Sequence, residues 1–390
     1  MSDLRNLLGE VAENAKYYDV TEAAVRGARR RHRIRATAPI AAFVAIALVV
    51  LAVWLPNRHT NAQKAPPAHR GAQISRQLDV IAGRTLYTTT GPEIALPDDV
   101  TAAYNLPGGD RLLLLATRDA PGGDLIRLRP DGTQRGILND VTSVVMDPSG
   151  TRIAWTEAHR GGRILSVGQL LETGVLVDAS THFGDPTAGD VPDMFPQQIV
   201  GSGDQLGVVL AEPTGQGYGA WDVWYPAQGA YHPTPHPEVR SISGTLPGTS
   251  RLVGTVFDDV TATKPRICLA VLDPAHDLAV GSKTCHAPFH DPPQGIVSPG
   301  GYLLQGSTTG VLGYRFDGAD PKPTGSWRLG GYGTSMWDGA WEDDTTALLA
   351  CDGDQNHLVR ISTTSPGKVS KVKLPSGGSG HITIVRPLAR

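Results

Sequence analysis

Between Thr142 and Ala179 the chain reads TSVVMDPSGTRIAWTEAHRGGRILSVGQLLETGVLVDA. Four short apolar stretches are separated there by an Asp-Pro-Ser-Gly turn, a Gly-Gly turn and a Glu-Thr-Gly turn. Four strands in about 40 residues is the size of one propeller blade, and such a unit leaves no room for a helix of useful length. The preceding stretch repeats the pattern with AAYNLPGGDRLLLLATRD, GGDLIRLRPDG and TQRGIL. Comparable first turns recur at Gly201-Ser-Gly-Asp204, Leu246-Pro-Gly-Thr249, Ser298-Pro-Gly-Gly301 and Glu342-Asp-Asp-Thr345. With Pro107, Pro148, Gly203, Pro247, Pro299 and Asp343 as markers, the intervals are 41, 55, 44, 52 and 44 residues.

Those six units leave strands at both ends. His381 to Leu388 reads as one, and Arg84–Thr90 and Pro92–Leu96 as two more. A closed ring must hide its edges, and pairing the two termini in one shared blade does so. The expectation is therefore an all-β propeller over 77–390, with seven blades favoured and six as the alternative. A pair of β-sandwiches competes, because strand spacing alone does not distinguish them. The abundance of turn formers, 46 Gly and 30 Pro in 390 residues, agrees with many short elements.

Ahead of the strands, Ala36 to Leu55 form a run of 20 residues without a charge. As a helix it covers about 30 Å, the hydrocarbon thickness of a bilayer. Arg26, Arg29, Arg30, Arg31, Arg33 and Arg35 precede it, and only Arg58, Lys64 and Arg70 follow closely. This asymmetry predicts a single-pass helix at 36–56 with membrane lipid around it, the N-terminus cytoplasmic and the bulk of the chain extracytoplasmic. The competing reading is a secretory signal cleaved near Thr60-Asn61-Ala62.

Residues 1–35 form a basic stem in which Leu4, Leu7, Leu8, Val11 and Ala15 recur at helical spacing. Asp19-Val-Thr-Glu22 has the form of a capping box opening a second helix. The stem serves either as a juxtamembrane segment attracted to anionic lipid or as a docking helix for a cytoplasmic regulator. Residues 57–76 read as a spacer. The stem carries 8 Lys/Arg and 5 Asp/Glu, so the remainder holds −6 of a total of −3. That acidic balance argues against nucleic acid as a partner.

The unit Asp147-Pro-Ser-Gly-Thr-Arg-Ile-Ala-Trp155 resembles the divergent blades of WD-like and Tol-type propellers, in which such a turn joins the first two strands. The whole chain is similar to uncharacterised single-pass membrane proteins of actinobacteria that carry an extracytoplasmic propeller. Some of those look like partners of extracytoplasmic-function sigma factors. The stem departs from many anti-sigma domains in lacking a His/Cys zinc motif, since no cysteine precedes Cys268.

Cys268 and Cys285 flank an apparent hairpin turning at Asp273–Asp277, which makes them a candidate disulfide. Cys351 is left outside that pair or is a member of the true one. The chain has no G-x-S-x-G elbow and no phosphate-binding G-x-x-x-x-G-K-[ST] loop, and Gly215-Gln-Gly-Tyr-Gly219 lacks a strand-to-helix context. His232/His236 and His286/His290 lie among prolines, where i,i+4 spacing sets no common face for a metal. Asp352-Gly-Asp354-Gln-Asn356 departs from a calcium loop at His357 and Thr363. Asp258/Asp259 and Asp343/Asp344 are adjacent on the chain, so their side chains diverge on a strand. No catalytic residue, metal or cofactor is expected.

Aromatic clusters give the remaining hint. Trp221, Trp224 and Tyr225, and Trp337 and Trp341, fall near expected turns, where rings serve binding surfaces or pack between blades. The expectation is a non-enzymatic propeller that binds an extracytoplasmic protein or small ligand and signals to a cytoplasmic regulator. The alternatives are a lyase or hydrolase working from the central channel and a scaffold of the cell envelope.

Overall fold

The computed structural model describes residues 78–89, 93–117, 122–159, 162–183, 194–214, 217–261, 266–285, 295–307, 310–318, 320–329, 336–351, 357–374 and 381–388. The chain divides into two compact units, Met1–Gly71 and Ala72–Arg390, and every described residue belongs to the second. The stem at 1–35, the apolar span at 36–56 and the linker at 57–76 lie outside the described residues. Among the described residues no helix is long and apolar enough to cross a membrane. Helical structure there amounts to short 3-10 turns, and the described part is all-β.

The first sheet joins the two ends of the chain. Strands β1 (Val80–Ala82), β2 (Thr85–Tyr87) and β3 (Ile94–Ala95) are completed by β26 (Ile382–Ile384), in the order β26-β1-β2-β3. The second sheet has seven strands: β4 (Val100–Asn105), β5 (Arg111–Leu115), β6 (Gly123–Leu128), β7 (Gln134–Met146), β8 (Arg152–His159), β9 (Gly162–Leu170) and β10 (Val175–Phe183). A three-stranded sheet follows with β11 (Phe195–Val200), β12 (Gly207–Thr214) and β13 (Gly217–Trp224). The next contains β14 (Val239–Thr245), β15 (Leu252–Phe257), β16 (Ile267–Asp273) and β17 (Ala279–Thr284). The last two hold β18 (Gly295–Val297), β19 (Tyr302–Ser307), β20 (Gly310–Asp317) and β21 (Asp320–Trp327), then β22 (Met336–Trp341), β23 (Thr346–Cys351), β24 (His357–Ser362) and β25 (Val369–Val372).

Apolar cores join these sheets in rotation. Ile81 and Leu86 of the first meet Leu113 and Ile126 of the second, and Leu165 and Val167 of the second meet Val208 and Leu210 of the third. Val209 and Val223 meet Leu252 and Val256, and Val253 and Val271 meet Leu303 and Tyr314. Leu304 and Val311 then meet Ala347 and Leu349, and Leu348 and Leu358 return to Val80 and Ile384. A succession of up-and-down antiparallel sheets that returns to its own beginning is a β-propeller.

The expectation of seven blades, with six as the alternative, is corrected by the sheet count to five blades. Five separate sheets have blade size, and the units marked by Pro107 and Pro148 are fused into the seven-stranded one. The cause lies in β7, a single 13-residue strand that pairs with β6 through its first part and with β8 through its second. Val141 pairs with both Gly123 and Glu157. Asp140 has φ 60° and the ladder shifts register beside it, so the strand bends without interrupting the pairing. A core containing Leu112, Leu125, Val144 and Trp155 fills the inside of that bend.

Strand position explains strand sequence. Second and third strands are covered on both faces, so they read as continuous apolar runs: Val208, Val209, Leu210 and Ala211 are all fully buried. Outer strands are edges and carry protective features. Pro321 and Pro323 stand in β21, where no further strand needs their missing N–H groups. All six sequence markers fall between the first and second strands of their units. At Asp147 the carboxylate accepts from the backbone N–H groups of Thr151 and Arg152, each at 2.9 Å, and Gly150 supplies φ 74°.

Ring closure is anchored by a buried ion pair. Asp79 Oδ2 accepts from Arg111 Nε at 2.7 Å, and its Oδ1 accepts from the Thr89 N–H at 2.7 Å. The Asp79 carbonyl accepts from the Val385 N–H at 3.0 Å, and Tyr104 and Arg386 form a parallel bridge. One residue thus connects β1, β5 and the C-terminal strand.

Candidate functional site

An open recess of about 580 Å³ lies on the β14–β17 sheet. One wall is the end of β15 and the residues after it, Phe257 to Val260, and the other is β17 from Val280 to Lys283. Val260 and Val280 are 51% and 42% exposed, among the few large apolar side chains left open to solvent in the described residues. They face a groove whose polar rim is already organised. Asp258 accepts from Lys283 Nζ at 2.9 Å and is ion-paired with Arg266, so these hydrogen bonds hold its carboxyl below the usual range. Asp259 caps its own turn by accepting from Thr261 N and Oγ1 at 2.8 and 2.7 Å. Behind the groove, Arg240 lies over the Phe257 ring at 5.7 Å.

The two strands beside the groove are joined covalently. β16 and β17 pair Leu269 with Thr284, which sets Cys268 directly opposite Cys285, and the structure joins the two in a disulfide. Asp258 lies close to both sulfurs, but sulfurs bonded to each other offer no thiolate to a metal.

The segment that leads into β14 adds Glu238 to the lining. After β13 the chain makes an irregular return through Tyr231, Thr234, His236 and Glu238 before entering β14. Asp222 holds this return in place. Its carboxylate is fully buried and accepts from Tyr231 Oη at 2.6 Å, the Thr234 N–H at 2.7 Å, Thr234 Oγ1 at 3.2 Å and the Val223 N–H at 2.7 Å. Burial, reinforced by the hydrogen bond to Asp222, pushes the Tyr231 phenol far above its ordinary value. Tyr225 nearby is pushed up to about 12, by burial first and then by Asp277, Asp273 and Asp222.

His236 stands between two carboxylates. Nδ1 is 2.8 Å from Glu238 Oε1, and Nε2 is 3.3 Å from Asp277 Oδ2 in the turn after β16. Burial opposes its charge, but the Glu238 hydrogen bond and the two carboxylates together raise it above 6.5. Glu238 also lines the groove, and its backbone carbonyl accepts from the Phe257 N–H at 2.8 Å.

A separate polar group lies on the inner strands. Asp338 of β22 accepts from the N–H groups of Gly339 and Ile384, both at 2.9 Å, which ties β22 to β26. Burial raises its pKa against the opposing influence of Arg386 and His381. Burial likewise lowers His381, countered by Asp338.

The aromatic residues singled out from the sequence are placed differently from a binding surface. Trp221, Trp224 and Trp341 are 2%, 2% and 6% exposed and fill inter-sheet cores, with Trp224 Nε1 donating to the Gly229 carbonyl at 2.9 Å. This corrects the surface reading for those three: strands covered on both faces bury rings even close to turns. Tyr225 packs half-buried against the core that holds Trp221. Trp337 is in β22, and its side chain lies outside the described residues. Cys351 is buried in the core between the last two sheets. His232 is exposed, whereas His286, His290 and Asp352–Asn356 lie outside the described residues. Sequence reading missed the groove, Asp222 and Asp338. A lone carboxylate between Trp221 and Trp224 in an apolar strand was the available signal for Asp222.

No protein-family model matches the chain, and no curated protein matches it significantly in sequence. Among solved structures it is similar to the β-propeller domain of the Trilobed protease from Pyrococcus furiosus, at 11% identity over 70% of this chain and 83% of that one, with TM-score 0.45. The Dos1 propeller is similar at 10% identity over 73% and 72%, with TM-score 0.46. The PQQ-bound aldose sugar dehydrogenase from Streptomyces coelicolor is similar at 13% identity over 73% and 97%, with TM-score 0.39. These likenesses assign no activity or ligand.

Proposed function

We propose that the chain is a membrane-anchored, extracytoplasmic β-propeller that binds a protein or small ligand without turning it over, and that its basic stem passes the binding event to a cytoplasmic regulator. The anchoring rests on the uncharged run Ala36–Leu55 and the arginines before it. The binding role rests on the groove: exposed Val260 and Val280 both line an open recess with a charged rim, the combination of apolar surface and oriented polar groups that recognition sites use. The test is crosslinking of the full chain in its native membrane, followed by identification of what is retained. Val260→Asp combined with Val280→Asp should abolish retention; unchanged retention would remove the groove from the reading. A sigma factor or other regulator on the stem supports signalling, and envelope components alone support scaffolding.

One observation favours a second reading, a lyase or hydrolase working from the channel. Asp338 is a deeply placed inner-strand carboxyl with a raised pKa beside His381 and Arg386, the kind of group that serves as a general acid. Turnover of chromogenic ester, phosphate or glycoside probes by the purified full chain, lost in Asp338→Asn, would carry that reading.

A further inference from the structure

The groove shares one residue with a partly buried ionisable triad, and that sharing has a functional consequence. Glu238 lines the recess, and its Oε1 is held by His236 Nδ1 at 2.8 Å. On its other side the imidazole meets Asp277, with Nε2 enclosed and 3.3 Å from Oδ2. A neutral imidazole carries one N–H, so one of its nitrogens would turn a lone pair toward a carboxylate. The doubly protonated ring places a positive charge between the two carboxylates, hydrogen-bonded to Glu238 and in ion-pair contact with Asp277.

We infer that the protonation state of His236 sets the charge that Glu238 presents to the groove, making ligand binding there pH-dependent. This rests on the reading of the groove as the binding surface. With His236 protonated, its one positive charge is shared between Glu238 and Asp277 and the triad carries a single negative charge. Loss of that proton leaves Glu238 with an uncompensated charge, and the groove then favours partners that bring a cation beside Val260 and Val280.

The surroundings of His236 single it out as the switch. Glu238 lies on its own segment, Asp277, Asp273 and His276 come from the turn after β16, and Asp222, Tyr225 and Tyr231 come from β13 and the return that follows it. Asp222 is satisfied by four donors, and the two tyrosines stay neutral far above physiological pH. Within the groove, Asp258 is paired with Lys283 and Arg266, and Arg240 lies over Phe257. His236 is the histidine of this neighbourhood that contacts a residue lining the groove, since His276 meets Asp273 instead.

The coupling can be read without any ligand. The full chain is labelled with 4-fluorophenylalanine, its six phenylalanines giving six fluorine resonances, and Phe257 is assigned by its loss in Phe257→Leu. Phe257 lines the groove and is hydrogen-bonded through its N–H to the Glu238 carbonyl. Its resonance should step with pH at a midpoint above 6.5, coincident with the carbon-13 titration of the His236 ring. The step should vanish in His236→Gln and in Glu238→Gln, and the latter should also lower the His236 midpoint. Either variant carries the test if the other does not fold. A flat Phe257 resonance in the native chain, or a step that survives both substitutions, overturns the inference. Retention of a crosslinked partner through Val260 and Val280 together with a flat titration would refute only this coupling. A titration with the expected step and no captured partner would refute only the binding role.

Discussion

The hydrogen bond between Tyr231 and Asp222 should stabilise the return segment between β13 and β14, and a double-mutant cycle can isolate it. In Tyr231→Phe the ring keeps its edge-to-face contact with Phe183 at 5.0 Å, and the backbone N–H of residue 231 still donates to Thr181 Oγ1 at 3.0 Å. Only the hydroxyl is lost. That hydroxyl donates at 2.6 Å to a fully buried carboxylate, so its removal should cost about 1.5–3 kcal/mol, the range for hydrogen bonds to charged groups. Asp222→Ala strands the Tyr231 hydroxyl and the Thr234 N–H together, each at about 1–3 kcal/mol, for an expected loss of about 4 kcal/mol. In the double variant the hydroxyl is no longer there to be stranded. The combined loss should therefore be smaller than that of Asp222→Ala alone, about 2 kcal/mol, a coupling of more than about 2 kcal/mol. Urea unfolding followed by tryptophan fluorescence measures all three. Losses that simply add to within about 0.5 kcal/mol would refute the account of Asp222 as the anchor of the return segment.

Further consequences follow from the same structure. Because His236 is raised above 6.5 in the folded chain, its contribution is fully present below 6.5 and is lost as pH rises through the folded value; native protein should lose more stability than His236→Gln over that interval. Tyr225 and Tyr314 are pushed up to about 12, so between pH 10 and 12 the unfolded chain ionises and the folded chain does not. Stability should fall across that interval, and absorbance titration at pH 11 should leave at least these two and Tyr231 of the ten tyrosines protonated in the native state. Arg111→Ala leaves Asp79 buried without its cation and should cost about 3–5 kcal/mol, with faster amide exchange at Val80–Ala82 and Ile382–Ile384 where the ring closes. Reduction of the Cys268–Cys285 bridge reopens a loop with a separation of 17 residues and should lower stability by about 3 kcal/mol, measured by calorimetry with and without reductant.

Much of the ring could be read from local chemistry. The turn residues around Pro107, Pro148, Gly203, Pro247, Pro299 and Asp343 marked the first hairpin of each unit because such turns demand a carboxylate acceptor or a glycine at positive φ, and sequence reports both directly. The terminal strands do meet in one sheet, since an edge left open would expose unpaired backbone. The fusion through β7 was hidden, because Asn139-Asp140 looks like an interruption and only the register shows that the ladder passes through it. The groove was hidden for a different reason. It is assembled from the end of β15, the middle of β17 and Glu238 of the preceding segment, and no spacing in the chain brings those three together. The tryptophans misled because proximity to a turn implies exposure only in sheets with one solvated face, whereas these sheets are covered on both.

The central claim is that the groove beside Val260 and Val280 is where this propeller meets its partner. Photo-crosslinking from a benzoylphenylalanine placed at residue 260 in the full chain, in the cells that produce it, tests that contact directly. The account predicts a specific adduct at position 260 that is absent when the same probe replaces exposed Leu176 on β10. Equal adducts at both positions, or none at 260 while the chain still retains a partner, would contradict it.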